Sequence, residues 1–301
     1  MQRGEPLRST GTNDADEARG ADGSPPCAIW GVLNVTPDSF SDGGLYASSS
    51  AALARGRALL AEGADVIDVG GESTRPAGGA YGVGFDVVPE SEERDRVVPV
   101  IRALTEEHGA TVSVDTTKPE VARAALEAGA RIVNDVSGGR SNELLAAVAG
   151  AKAELVLMHN RGRGEVAPPN TTYEDVVEDV LRELFDSVGR AIAAGVAPER
   201  IWIDPGLGFA KTPEQSIALL AATARFAATG HRVLVGASRK GFIAYAAPRR
   251  DGTAPPPNER LGGTAATVIA AARLGAAAVR VHDVSAMRQA LLVASAIDRA
   301  S

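Results

Sequence analysis

Eight short apolar runs in this 301-residue chain are each followed at once by side chains that could do chemistry. The first runs into Asn34-Val35-Thr36-Pro37-Asp38-Ser39-Phe40, and the second into Gly70-Gly71-Glu72-Ser73-Thr74-Arg75-Pro76. Asp115 closes the third, Asn134 and Asp135 the fourth, and Met158, His159 and Asn160 the fifth. The sixth leads into Asp204-Pro205-Gly206-Leu207-Gly208-Phe209-Ala210-Lys211, the seventh into Ser238-Arg239-Lys240-Gly241-Phe242, and the eighth into Arg280-Val281-His282-Asp283. Asp115 and Asp204 supply acceptors, and Asn134 an amide that both donates and accepts. The bland alternative is that each caps the helix after it, as Asp and Asn commonly do. Arg280 and His282 alternate with Val279 and Val281, so on a strand they point to one side as a compact anion clamp.

The runs themselves are 28–33, 65–69, 111–115, 131–135, 154–158, 200–204, 232–236 and 278–282. Near-continuous β-branched stretches of this length read as strands buried on both faces. Between them, helical periodicity predicts helices over 49–62, 91–107, 119–128, 142–149, 174–194, 213–229, 260–274 and 285–299. In 174–194 apolar residues recur at Val176, Val177, Val180, Leu181, Leu184, Phe185, Val188 and Ile192, the stripe of a helix that covers a sheet. Thr117 and Glu120 have capping-box spacing. Gly63, Gly109, Gly129, Gly195, Gly230 and Gly275 stand just past helix ends, where a left-handed residue is wanted. Eight alternations predict a (β/α)8 TIM barrel, whose chemistry sits where strands end and βα loops begin. A doubly wound open sheet is the second choice, disfavoured because the first strand lacks a Gly-rich dinucleotide turn. Residues 1–26 are polar and Gly-rich, and read as a disordered tail ahead of a single domain over 27–301.

Composition narrows the function classes. Hydrophobic residues make up 45% of the chain but aromatics only 4%, so a sizeable core must be aliphatic. The net charge of −7 argues against nucleic acid or an anionic membrane surface as partner. No stretch approaches the roughly 18 apolar residues of a membrane span, and the start lacks a signal-peptide core. The single cysteine, Cys27, excludes an intrachain disulfide and fits a reducing compartment, so the expected location is the cytoplasm.

The segments NVTPDSFSDGG, GGESTRP, DPGLGFAK, SRKGF and RVHDV, in this order, resemble the dihydropteroate synthase family over about 29–298. The resemblance implies a transferase of folate biosynthesis that joins a dihydropterin diphosphate to 4-aminobenzoate. It assigns the pterin to Asp115, Asn134, Asp204, Phe209 and Lys240, whose acceptors and amide suit a 2-amino pyrimidinone edge. It assigns the diphosphate to Asn34, Thr74, Arg280 and His282, with Mg²⁺ held at Asn34, a hard cation on an oxygen ligand. It assigns the aminobenzoate to Phe40, Thr74, Arg75, Pro76, Ser238, Arg239 and Lys240, under two loops acting as a lid. Catalysis then falls to Asp115, Lys240, Arg280 and His282, with no side-chain nucleophile needed. On this assignment, Arg280→Ala is expected to spare affinity for a bare pterin. Two rivals share the barrel: a methyltetrahydrofolate-type methyltransferase, and a homologue that binds pterin without condensing it. A homodimer paired through the Ala-rich helices 263–274 and 285–297 is also expected.

Overall fold

A computed structural model describes residues 27–36, 44–72, 88–162 and 168–300. Eight parallel strands close into one barrel in chain order, so the open-sheet alternative is excluded. They are β1 (Ala28–Asn34), β2 (Val66–Gly70), β3 (Val112–Asp115), β4 (Ile132–Asp135), β5 (Glu154–Met158), β6 (Ile201–Asp204), β7 (Arg232–Val235) and β8 (Ala278–Val281). Among the described residues ten α-helices surround them. These are α1 (Gly44–Ala61), α2 (Glu90–His108), α3 (Pro119–Glu127), α4 (Asn142–Ala151), α5 (Val176–Ala193), α6 (Pro213–Ala221), α7 (Thr223–Ala227), α8 (Gly241–Ala246), α9 (Leu261–Arg273) and α10 (Val284–Ala300).

Successive strand residues face opposite sides, and that alternation builds two cores. Ile29, Leu33, Ile67, Val69 and Val279 point outward into the layer between sheet and helices. Ala28, Trp30, Val66, Ile132, Val156, Trp202, Leu234 and Ala278 point inward and fill the barrel. Trp30 and Trp202 meet edge to face there, with ring centroids 5.4 Å apart. The Arg232 guanidinium lies 4.1 Å from the Trp202 ring, and Glu154 accepts from Trp202 Nε1 at 2.6 Å. This aromatic floor sits one inward position below the polar strand ends. Counting two residues on from Val66, Ile132, Trp202 and Ala278 gives Asp68, Asn134, Asp204 and Arg280, which therefore also face the barrel axis. Pairing aligns Asp115 with Asn134 and Met158 with Asp204.

Several local expectations need correction. The capping box at Thr117 and Glu120 does not form: α3 starts at Pro119 with Lys118 as N-cap and no side-chain cap. Proline's fixed φ sets the first turn there, and the Glu120 N–H donates instead to Glu90 on the neighbouring α2 at 3.0 Å. A capping box does form at Thr212 with Gln215, opening α6. The span 213–229 breaks at Ala222 into two helices, and α8 follows the seventh strand. On α5, Val180, Leu184 and Val188 are buried, while Phe185 and Ile192 at the edge of the stripe are exposed. All six glycines expected just past helix ends have positive φ.

Candidate active site

At the C-terminal ends of the strands, four buried polar side chains and one arginine converge. Asp68, Asp115, Asn134 and Asp204 are each 5% exposed or less. Arg280 bridges two of them, donating from Nε to Asp68 Oδ2 at 2.6 Å and from Nη2 to Asp115 Oδ2 at 2.9 Å. Asn134 Nδ2 donates to the same Asp68 oxygen at 3.2 Å. The second carboxylate oxygens, Asp68 Oδ1 and Asp115 Oδ1, and the carboxamide oxygen Asn134 Oδ1 are buried without a hydrogen-bond partner. A buried group left unpaired costs about 1–3 kcal/mol, more when charged. Three around one point make a surface that a donor-bearing ligand would satisfy.

Electrostatics follow from burial. Desolvation pushes Asp115 up from 3.8 to about 7, opposed by Arg280 and reinforced by Asp68. Burial raises Asp204 too, against the pull of Lys240 and the Gly206 N–H. Lys240 is pushed down to about 8 by burial, with Asp204 opposing and Arg280 adding. Its Nζ donates to Leu207 O at 2.5 Å and stands 4.8 Å from the Phe209 ring centroid. Gly236 lies beneath this pair: a Cβ there would come within 3.6 Å of Lys240 Nζ and 3.9 Å of Asp204 Oδ2.

Each expected site residue has a definite place or lies outside the described residues. Asp115, Asn134, Asp204, Phe209, Lys240 and Arg280 come together at the barrel mouth. Asp204 is also partly what the capping alternative proposed, since Oδ1 accepts from Gly206 N at 2.7 Å. The pure turn-former is Asp135, which accepts from Ser137 N and Gly139 N, both at 2.8 Å. The clamp pairing is different from the sequence picture: Arg280 is engaged by carboxylates, while His282 Nδ1 lies 3.0 Å from Ser238 Oγ. Arg239, at φ +60, forks onto Asp283 at 2.9 and 2.5 Å, tying the loop after β7 to the one after β8. Asn34 is half-buried, and the bare Gly70 leaves its Oδ1 3.9 Å from where a Cβ would stand. Among the described residues no group of three or more His, Cys, Asp or Glu could hold a metal ion. Phe40, Thr74, Arg75 and Pro76, with Asp38 and Ser39, lie outside the described residues.

The flanks of the second loop are described. Lys118 Nζ donates to Glu72 Oε2 and Glu93 Oε2 and to Val88 O at 2.7 Å. Arg96 donates to Gly71 O at 2.7 Å. Burial works against charged Lys118, but Glu72 and Glu93 outweigh it and its pKa is raised.

Sequence reasoning missed Asp68. Its signal was present, because a charged residue two positions beyond Val66 in an apolar run must share the inward face.

A sequence model described as pterin binding enzyme matches residues 30–282, which span every convergent polar group. Barrel, pocket and match together define a pterin-binding (β/α)8 enzyme. The dihydropteroate synthase of Mycobacterium leprae (strain TN) is 49% identical over 275 residues, covering 90% of this chain and 93% of that protein. That of Bacillus subtilis (strain 168) is 44% identical over 257 residues, covering 85% and 83%. Among solved structures, Xanthomonas albilineans dihydropteroate synthase with 4-aminobenzoic acid superposes with a TM-score of 0.81 at 43% identity, covering 90% of this chain and 93% of that one. The Xanthomonas albilineans enzyme in complex with 7,8-dihydropteroate gives 0.78 at 41%, covering 90% and 94%. The chain belongs to the dihydropteroate synthase family, transferases of folate biosynthesis.

Proposed function

We propose that the protein condenses (7,8-dihydropterin-6-yl)methyl diphosphate with 4-aminobenzoate, giving 7,8-dihydropteroate and diphosphate. The observation that carries this reading is the trio of unpaired buried oxygens on Asp68, Asp115 and Asn134. The pterin edge brings N–H donors to them, and Asp204 completes the set from β6. Lys240 and Phe209 bound the ring from the loops after β7 and β6. Binding of donors to Asp115 favours its carboxylate, which burial alone disfavours.

The C–O bond between the pterin methylene and the diphosphate breaks with its electron pair going to the diphosphate. The amine of 4-aminobenzoate then attacks the methylene carbon and gives up a proton to water or diphosphate. Positive charge developing on the pterin is stabilised by the Asp68, Asp115 and Asp204 carboxylates. Arg280 and His282 receive the departing diphosphate, and Arg280 also links that end of the site to the pterin carboxylates. The reading assigns the aminobenzoate to Phe40, Thr74, Arg75, Pro76, Ser238, Arg239 and Lys240.

Mg²⁺ at Asn34 is part of the reading. A carboxamide oxygen left open by Gly70, with no acidic cage around it among the described residues, fits an ion that keeps most of its waters and takes oxygens from substrate phosphate. When bound, it would neutralise charge on the diphosphate. The reading also includes a homodimer, supported by Val293 and Ile297, which stand exposed on α10, and a cytoplasmic location, supported by the lone thiol.

Purified protein mixed with the dihydropterin diphosphate and Mg²⁺ should release diphosphate only when 4-aminobenzoate is added. Pterin binding without aminobenzoate-dependent release would overturn condensation in favour of a non-condensing binder.

A further inference from the structure

A chain of ionisable groups runs from the pocket wall to the surface, and the proposed reaction uses none of them. Lys211 is 1% exposed. Its Nζ donates to Phe209 O at 2.8 Å and lies 2.9 Å from His159 Nδ1. His159 Nε2 is in turn 3.0 Å from Glu183 Oε2 on α5, and Glu183 is also held by Arg161. Arg161 stacks 3.8 Å from the Tyr173 ring centroid, and the Tyr173 hydroxyl donates to Ala210 O at 3.0 Å.

These bonds tie down the loop after β6 at nearly every turn. The His159 N–H donates to Asp204 O at 2.8 Å. Gly206, at φ +66, fits so closely that a Cβ would come within 2.0 Å of His159 O. Ala210 adopts φ +50, a left-handed conformation that disfavours a side chain and persists where the surroundings over-determine it. The bonds to Phe209 O and Ala210 O do that.

We propose that Lys211 is a positioning residue for the pterin pocket: braced on His159, it fixes the loop that carries Asp204 and Phe209 and supplies buried positive charge that keeps Asp204 an acceptor. The inference rests on the pterin reading of those two residues. Burial pushes Lys211 down to about 7, with Asp204 opposing and Lys240 and Arg161 adding. Burial also pushes His159 down to about 4, Lys211 adding and Glu183 opposing. A neutral His159 that accepts from Lys211 at Nδ1 carries its proton on Nε2, toward Glu183. The groups facing Asp204 are Lys240, Lys211, Arg280 and the Gly206 N–H.

The test is Lys211→Met, which keeps the length and loses the charge. The dissociation constant for 6-hydroxymethylpterin should rise about tenfold, the loss of one charged hydrogen bond. The KM for 4-aminobenzoate should stay within about twofold. The acid limb of pterin binding should also move to higher pH, since Asp204 loses a cation that favours its ionised form. A folded variant with unchanged pterin affinity and pH profile overturns the proposal, as does equal loss toward both substrates. Should Lys211→Met fail to fold, Glu183→Leu at the half-exposed end of the chain decides. It frees His159 Nε2 and should weaken pterin about threefold, less than the direct change, and unchanged affinity overturns the idea. Wild-type protein that binds no pterin at all would remove the underlying reading, and the inference with it.

Discussion

Arg280 holds Asp68 and Asp115 together from the opposite end of the chain, 212 and 165 residues away in sequence. Alternation on β8 correctly gives the direction of its side chain but says nothing of what lies across the barrel. The pairing changes the expectation that Arg280→Ala spares bare pterin. Removing the guanidinium leaves two buried carboxylates facing each other without a cation, and breaking a buried pair costs about 3–5 kcal/mol. Arg280→Met should therefore lower unfolding free energy in urea by about 3 kcal/mol and weaken both bare pterin and diphosphate ester. Selective loss of diphosphate affinity with unchanged stability would show that the ion pairs contribute little. At this scale the sequence exposes Asp115, Asn134 and Asp204 because they end apolar runs. It hides Asp68 inside one, and it cannot show that Lys211 is buried, because a lysine in a Gly-rich loop reads as solvated.

Among elements, the strands are legible to within about a residue at each end because both faces of each are buried. The helices are less so. The Thr117–Glu120 spacing was overruled by Pro119, and the acceptor that replaced the cap came from α2, a partner chosen by packing. Packing likewise puts Lys118 at the one place where both flanks of the second loop meet, bonded to Glu72 on one side and Val88 on the other. Glu93, only 1% exposed, depends on it for charge compensation. Lys118→Met should cost about 3 kcal/mol of stability, as expected when a buried carboxylate loses its partner, measurable as a fall in the urea midpoint. Lys118→Met with Glu93→Gln should recover much of that loss; failure to recover would mean that the Glu72 and Val88 contacts dominate.

For the molecule as a whole, the charge that matters is local. Net charge of −7 argues from sequence against a polyanionic partner, yet the site carboxylates are buried, and burial raises two of them, Asp115 and Asp204. Asp115 keeps its proton up to about pH 7 when folded and to about 3.8 when unfolded. Its contribution to stability is full below pH 4 and is lost as pH rises through 7, since the folded state binds more protons in between. Asp115→Asn removes this term, so the variant should gain on the wild type as urea melts move from pH 4.5 to 7.5. A constant difference would place the Asp115 pKa near its ordinary value.

The floor of the barrel gives the protein an optical handle. Trp30 and Trp202 are the only tryptophans in the chain, they touch each other, and Trp202 lies two residues before Asp204 on the same strand. Near-ultraviolet emission excited at the indole band therefore comes from a single spot at the centre of the barrel, directly under the ligand pocket. A conjugated heterocycle seated on Asp204 is close enough to quench it, so binding can be followed in the unlabelled protein without any engineered probe.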